Sequence, residues 1–105
     1  LSGLAERLNL AVASVTWLEF MEGANGTAGQ EHCLRLLAPF EIIYLTESDQ
    51  QWSMMQLLTY RYSHGVSLKD CLIASAAFRL QVPFYTQNVK DFLPLLAADQ
   101  VIRPY

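Results

Sequence analysis

Residues 67–92 read SLKDCLIASAAFRLQVPFYTQNVKDF, and the order of signals in this stretch decides the fold. Ser67-Leu68-Lys69-Asp70 places a serine three residues ahead of an acid, just before an apolar run, the pattern of a capped helix start. An apolar helix follows, and 83–86 (PFYT) reads as a short buried strand. Asn88-Val89-Lys90-Asp91 repeats the cap pattern at a second helix start. Another copy, Thr16-Trp17-Leu18-Glu19, comes directly after the strand-like run 11–15 (AVASV). Glu19 and Asp91 thus each follow a β-type run where a helix begins, and Asp70 opens a helix too. In a parallel α/β sheet such positions lie outside the carboxyl ends of the strands, where ligands bind. Three carboxylates remote in sequence are therefore expected to meet at one sheet rim.

Composition sets the bounds. At 105 residues, 52% of them apolar and 16% charged, the chain is expected to form one packed domain spanning 1–105 and not a disordered segment. Its longest apolar runs, such as 10–15 and 71–78, are far too short to cross a membrane. No basic leader of the secretory kind is visible. Cys33 and Cys71 lie in apolar helix-like settings without metal-ligand spacing, which fits buried thiols in a reducing cytoplasm. Asn25-Gly26-Thr27 reads as a turn. The net charge of −3 argues against nonspecific nucleic-acid binding, which draws most of its affinity from a basic face. It is compatible with a carboxylate metal site.

Along the chain, 2–9 reads as the tail of a helix and 10–15 as a strand buried on both faces. Helical patterning covers 17–24 and 31–37, separated by breaks at 25–27 and Gly29 and closed by Pro39. Residues 40–45 (FEIIYL) form a strong strand candidate. A long helix then runs from Thr46-Glu47-Ser48-Asp49, a further cap pattern, to about Tyr62. It carries Trp52, Met54, Met55, Leu57, Leu58, Tyr60 and Tyr62, so it is expected to be deeply buried or to pack on another subunit. A short helix at 92–97 and an edge strand at 101–103 complete the order. Such alternation predicts an α/β fold with a parallel sheet covered on both faces.

Each acid has a structural explanation, because a carboxylate at the third helical position accepts a backbone bond and complements the helix dipole. Asp49 has the same pattern and is assigned no chemistry. Convergence favours more than capping, since several carboxylates at helix N-termini suit a hard cation. Mg²⁺ or Mn²⁺ fits, being oxygen-seeking and usually held by few carboxylates plus water and substrate phosphate. No Cys/His cluster suggests zinc.

The segments 14–23 (SVTWLEFMEG), 69–92 (KDCLIASAAFRLQVPFYTQNVKDF) and the terminal VIRPY resemble the PIN-domain family, and within it the VapC-type toxin ribonucleases of bacterial and archaeal toxin–antitoxin pairs. The resemblance extends over essentially the whole chain. It implies a three-layer α/β/α fold with a central, mostly parallel sheet. It also implies a metal-dependent endoribonuclease that hydrolyses RNA phosphodiester bonds to leave a 5′-phosphate and a 3′-hydroxyl. Glu19 matches the acid of the family's T-x-x-E motif, which begins here at Thr16. Asp70 matches that of D-x-L-I-A, and Asp91 that of N-x-x-D-F. Thr86 and Asn88 match polar positions beside the site. Lys69 and Lys90, each next to an expected ligand, are candidates for substrate phosphates, with Arg61 and Arg79 near in sequence; an ordinary solvated helix face is the simpler reading of the lysines. His64 beside Gly65 is read as a turn residue ahead of a catalytic base. An antitoxin and a second copy of the chain are the partners the resemblance implies.

The family opens with a central strand ending in a metal-binding aspartate, and no residue before Ser2 supplies it. The sheet is expected to have a gap between 11–15 and 84–86, exposing two hydrophobic edges. The natural protein is therefore expected to extend further N-terminally, or another segment to fill that slot. Two other readings stand beside the nuclease. One is a catalytically incomplete PIN-fold binding module acting through a dimer or an antitoxin. The other is a cytoplasmic α/β domain whose acids only cap helices.

Overall fold

The computed structural model describes residues 10–104; the helix tail read at 2–9 lies outside them. The protein is mixed α/β, and the chain divides into two compact units, Leu1–Tyr44 and Leu45–Tyr105.

In the first unit, β1 (Ala11–Ala13) leads straight into α1 (Ser14–Glu22), and α2 (Gly26–Leu37) returns to β2 (Glu41–Ile43). The strands pair in parallel with Val12 opposite Ile42, as a helical crossover requires. The strand is shorter than the run 10–15 and half-exposed rather than buried on both faces. The break expected at 25–27 lies at Asn25, the residue before α2, and Gly29 does not interrupt the helix. Gly26 opens it at φ +74°, a left-handed conformation that a Cβ would disfavour. Gly29 lies inside it, where an added Cβ would stand 3.6 Å from Ala24.

The second unit begins with α3 (Glu47–His64), which turns at Gly65 (φ +68°) into α4 (Leu68–Leu80). The left-handed glycine satisfies the helix end by donating from its N–H to Arg61 O at 3.0 Å. Then come β3 (Phe84–Tyr85), the single turn α5 (Val89–Phe92) and β4 (Val101–Ile102). β3 and β4 pair in parallel, Phe84 opposite Val101. The core gathers Val66, Cys71, Ala74, Ala77, Phe92, Leu95, Leu96 and Val101, with Trp52, Leu57 and Tyr60 of α3 packed against it. Small residues on α4 permit close approach, and Ser53 Oγ of α3 lies 3.2 Å from Cys71 O. Trp52 stacks on Phe78 with ring centroids 4.8 Å apart. The Gln100 amide donates to Ala77 O and Val82 O, both at 2.8 Å, tying the end of α4 to the approach to β4.

The four described strands form two parallel pairs, with no ladder between the runs at 11–15 and 84–86 among the described residues. One expectation needs correction: α3 is not deeply buried, since Met54, Met55, Leu58 and Tyr62 are 65%, 59%, 81% and 99% exposed. Only one face of α3 meets the core, and its remaining apolar side chains point elsewhere, which leaves packing on a partner as the surviving expectation. No helix among the described residues is long and apolar enough to cross a membrane.

Candidate functional site

Asp70 sits in the first turn of α4 and is half-buried. Its backbone N–H donates to Ser67 Oγ at 3.0 Å, and Ser67 N–H reaches back to Asp70 Oδ2 at 3.5 Å. The second contact is at the limit of a hydrogen bond, so the cap engages one carboxylate oxygen weakly. Asp49 provides the contrast. Thr46 N–H donates to its Oδ2 at 2.9 Å, and Arg79 donates from Nε to Oδ1 at 2.8 Å and from Nη2 to Oδ2 at 3.1 Å. Burial pushes this carboxyl up, but the Arg79 guanidinium and the Thr46 N–H outweigh it and hold it below the ordinary carboxylate value. Asp49 is therefore structural, as its sequence pattern suggests.

Glu19 and Asp91 are not caps, contrary to the sequence pattern. The helix expected to start at Thr16 starts at Ser14, Ala13 precedes it without a side-chain cap, and Glu19 lies in its second turn. Thr16 is accordingly an α1 residue and caps nothing. At α5, Asn88 makes no side-chain cap bond; its N–H donates instead to Thr86 Oγ1 at 3.0 Å. Asp91 is exposed, and its N–H donates to Asn88 O at 3.0 Å. Thr86 and Asn88 thus shape the turn that delivers Asp91. Helix capping, the simplest account of all three acids, holds for Asp70 alone.

Of the residues offered for substrate phosphates, Lys69 and Lys90 are exposed. Arg61 and Arg79 are engaged in the fold: Arg61 Nη1 donates to Val66 O at 3.0 Å, and Arg79 holds Asp49. His64 shares its Nδ1 with Ser63 Oγ at 2.7 Å and meets the edge of Tyr60, consistent with a residue at a helix end. Burial, reinforced by the neighbouring Asp70 charge, pushes the Cys71 thiol up, so it stays protonated and unreactive. One residue escaped the sequence reading. Arg103, assigned to the last strand, instead reaches Gln87 O with Nη1 at 2.9 Å; only the following Pro104 hints that the strand ends there.

Glu19 belongs to the first unit, Asp70 and Asp91 to the second. No three or more His, Cys, Asp or Glu side chains among the described residues are grouped to hold a metal. Mg²⁺ is commonly held by one or two carboxylates with water and substrate phosphate completing its shell. The weakly engaged Asp70 carboxylate and the exposed Asp91 carboxylate fit that chemistry, and Asp49, bound by Arg79, does not.

No protein-family model matches the chain, and no curated protein is significantly similar to it. Among solved structures it is similar to a chain of a toxin–antitoxin complex from Klebsiella pneumoniae. The TM-score is 0.67 and the identity 26%, over 92% of this chain and 75% of that one.

Proposed function

We propose that this protein is the toxin component of a toxin–antitoxin pair, a PIN-type, VapC-like endoribonuclease dependent on Mg²⁺ or Mn²⁺. The likeness to a chain of the Klebsiella pneumoniae toxin–antitoxin complex carries this reading. The exposed Asp91 adds support, because no cap at α5 accounts for its carboxylate. In this reading Asp70 and Asp91 of the second unit hold the cation, with water and substrate phosphate completing its shell, within the three-layer α/β/α fold of the family. A bound divalent cation supplies an activated water and stabilises charge on the phosphate. Asp70 is oriented by the Ser67 cap, Asp91 by the Thr86–Asn88 turn, and Lys69 and Lys90 flank them where RNA phosphates would lie. The partners are RNA and an antitoxin. Metal-dependent RNA cleavage by the natural full-length protein tests this: Asp70→Asn and Asp91→Asn should each lose activity by several orders of magnitude. Equal cleavage by wild type and both variants would end the nuclease assignment.

A second reading, a binding module that acts through a partner, draws on the α3 face. Met54, Met55, Leu58 and Tyr62 are exposed at spacings that bring most of them onto one stripe. An antitoxin or a second copy would bury them. A stable complex lacking both RNA cleavage and Mn²⁺ binding would favour this reading over the first.

A further inference from the structure

The ladder between β3 and β4 closes where Thr86 N–H donates to Ile102 O at 2.9 Å. Two residues on, Pro104 has no N–H with which to extend it. Arg103 takes over with its side chain. Its Nη1 donates to Gln87 O at 2.9 Å and stands 3.4 Å from Gln87 Oε1. Gln87 is the middle of the turn between β3 and α5. On its far side Asn88 N–H donates to Thr86 Oγ1, and Asp91 N–H to Asn88 O, both at 3.0 Å. Backbone and side-chain bonds thus run from β4 through the turn to Asp91.

The turn has need of such an anchor. α5 is four residues long, a single turn that has no stability of its own. No side chain caps it, and Asn88 lies at φ −97°, ψ 54°, outside the helical and extended regions. One end of α5 is fixed by Phe92, which is buried and packs on Phe84 with ring centroids 4.6 Å apart. The other end is fixed by the turn, and the turn by Arg103. Asp91 lies between these two anchors.

We propose that Arg103 is a positioning residue for Asp91, acting through the Gln87 carbonyl. This rests on the reading of Asp91 as a cation ligand. Hydrogen-bonded partners behind metal ligands typically change metal affinity by about 10- to 100-fold when removed. Arg103 is exposed, so its removal opens no cavity in the core.

The test is Mn²⁺ affinity by titration calorimetry on the natural full-length protein, alongside amide exchange at Asn88 and Asp91. Arg103→Met should weaken Mn²⁺ binding about tenfold and speed exchange at both amides, with little change in Tm. Arg103→Lys keeps one donor and should recover much of the affinity. Gln87→Ala keeps the carbonyl that Arg103 grips and loses only the 3.4 Å side-chain contact, so it should weaken Mn²⁺ binding less than Arg103→Met does. If wild type binds Mn²⁺ and Arg103→Met binds it equally, the positioning role is wrong and the nuclease reading stands. If wild type binds no Mn²⁺ at all, the nuclease reading falls and takes this role with it.

Discussion

Two helices of the second unit begin with the same device and use it differently. At Thr46–Asp49 the reciprocal bonds are 3.1 and 2.9 Å, and Asp49 is 2% exposed. At Ser67–Asp70 they are 3.0 and 3.5 Å, and the acid stays half-open to solvent. The local sequence cannot explain this, because both are a hydroxyl residue followed three positions later by aspartate. Arg79, thirty residues beyond Asp49, makes the difference: its planar fork engages both oxygens of Asp49. A matched guanidinium turns one cap into a closed structural clasp between the start of α3 and the end of α4. The other cap is left with lone pairs to offer. A carboxylate that only caps and one that can also act are told apart by their distant partners.

The sharpest way to break the comparison is to remove the clasp. Asp49→Ala removes the capping-box acid that accepts the Thr46 N–H, and also leaves Arg79 without its partner, so its loss of stability should exceed that of Asp70→Ala by a wide margin in denaturant unfolding. Equal losses would mean that the Arg79 contact contributes nothing. The pH dependence should separate the two as well. The folded Asp49 carboxyl titrates below its ordinary value of 3.8. A depressed folded value gives stability that is fully present above the unfolded value and is lost as pH falls through the folded one. Acid unfolding below about pH 4 should therefore be steeper in wild type than in Asp49→Asn.

Next in size is the effect of a cation. Mn²⁺ that binds the native state alone raises Tm in proportion to the logarithm of its concentration over Kd. Wild type and Asp49→Asn should both show that rise, from different baselines. Asp70→Asn should keep a Tm close to wild type in the absence of metal and lose the rise. A shift that survives in Asp70→Asn would place the cation elsewhere.

The sequence carried the helix and strand order well because local signals governed it. The caps at Thr46 and Ser67, the glycine stop at 65 and the β-rich run around Ile42 and Ile43 act within a few residues. Where the outcome depended on competition, the pattern misled. Thr16-x-x-Glu19 has the letters of a cap, but α1 grows directly out of β1 from Ser14, so those letters fall inside the helix. Asn88-x-x-Asp91 has them too, but Thr86 Oγ1 captures the Asn88 N–H and makes a turn instead. The roles of Arg79 and Arg103 were illegible for a different reason. Both act on partners 30 and 16 residues away, and no local periodicity encodes such a pairing. The exposed side of α3 was hidden by hydropathy itself, which counts apolar residues without saying which of them find a core.

That exposed side sets the smallest expected effect on the monomer. Leu58 is 81% exposed and Tyr62 99%, so neither contributes much to folding, and Leu58→Lys should shift stability by less than about 0.5 kcal/mol. Trp52, six residues before Leu58 and stacked on Phe78, should be far more sensitive to truncation, since it ties α3 to α4 beside the Asp49–Arg79 clasp. The two substitutions divide α3 into a face that holds the unit together and a face open to a partner. Light scattering after size exclusion reads the second face directly. If a second copy covers it, wild type should have twice the mass of Leu58→Lys, whereas a wild-type monomer at high concentration would leave the face to an antitoxin, whose affinity Leu58→Lys should then reduce.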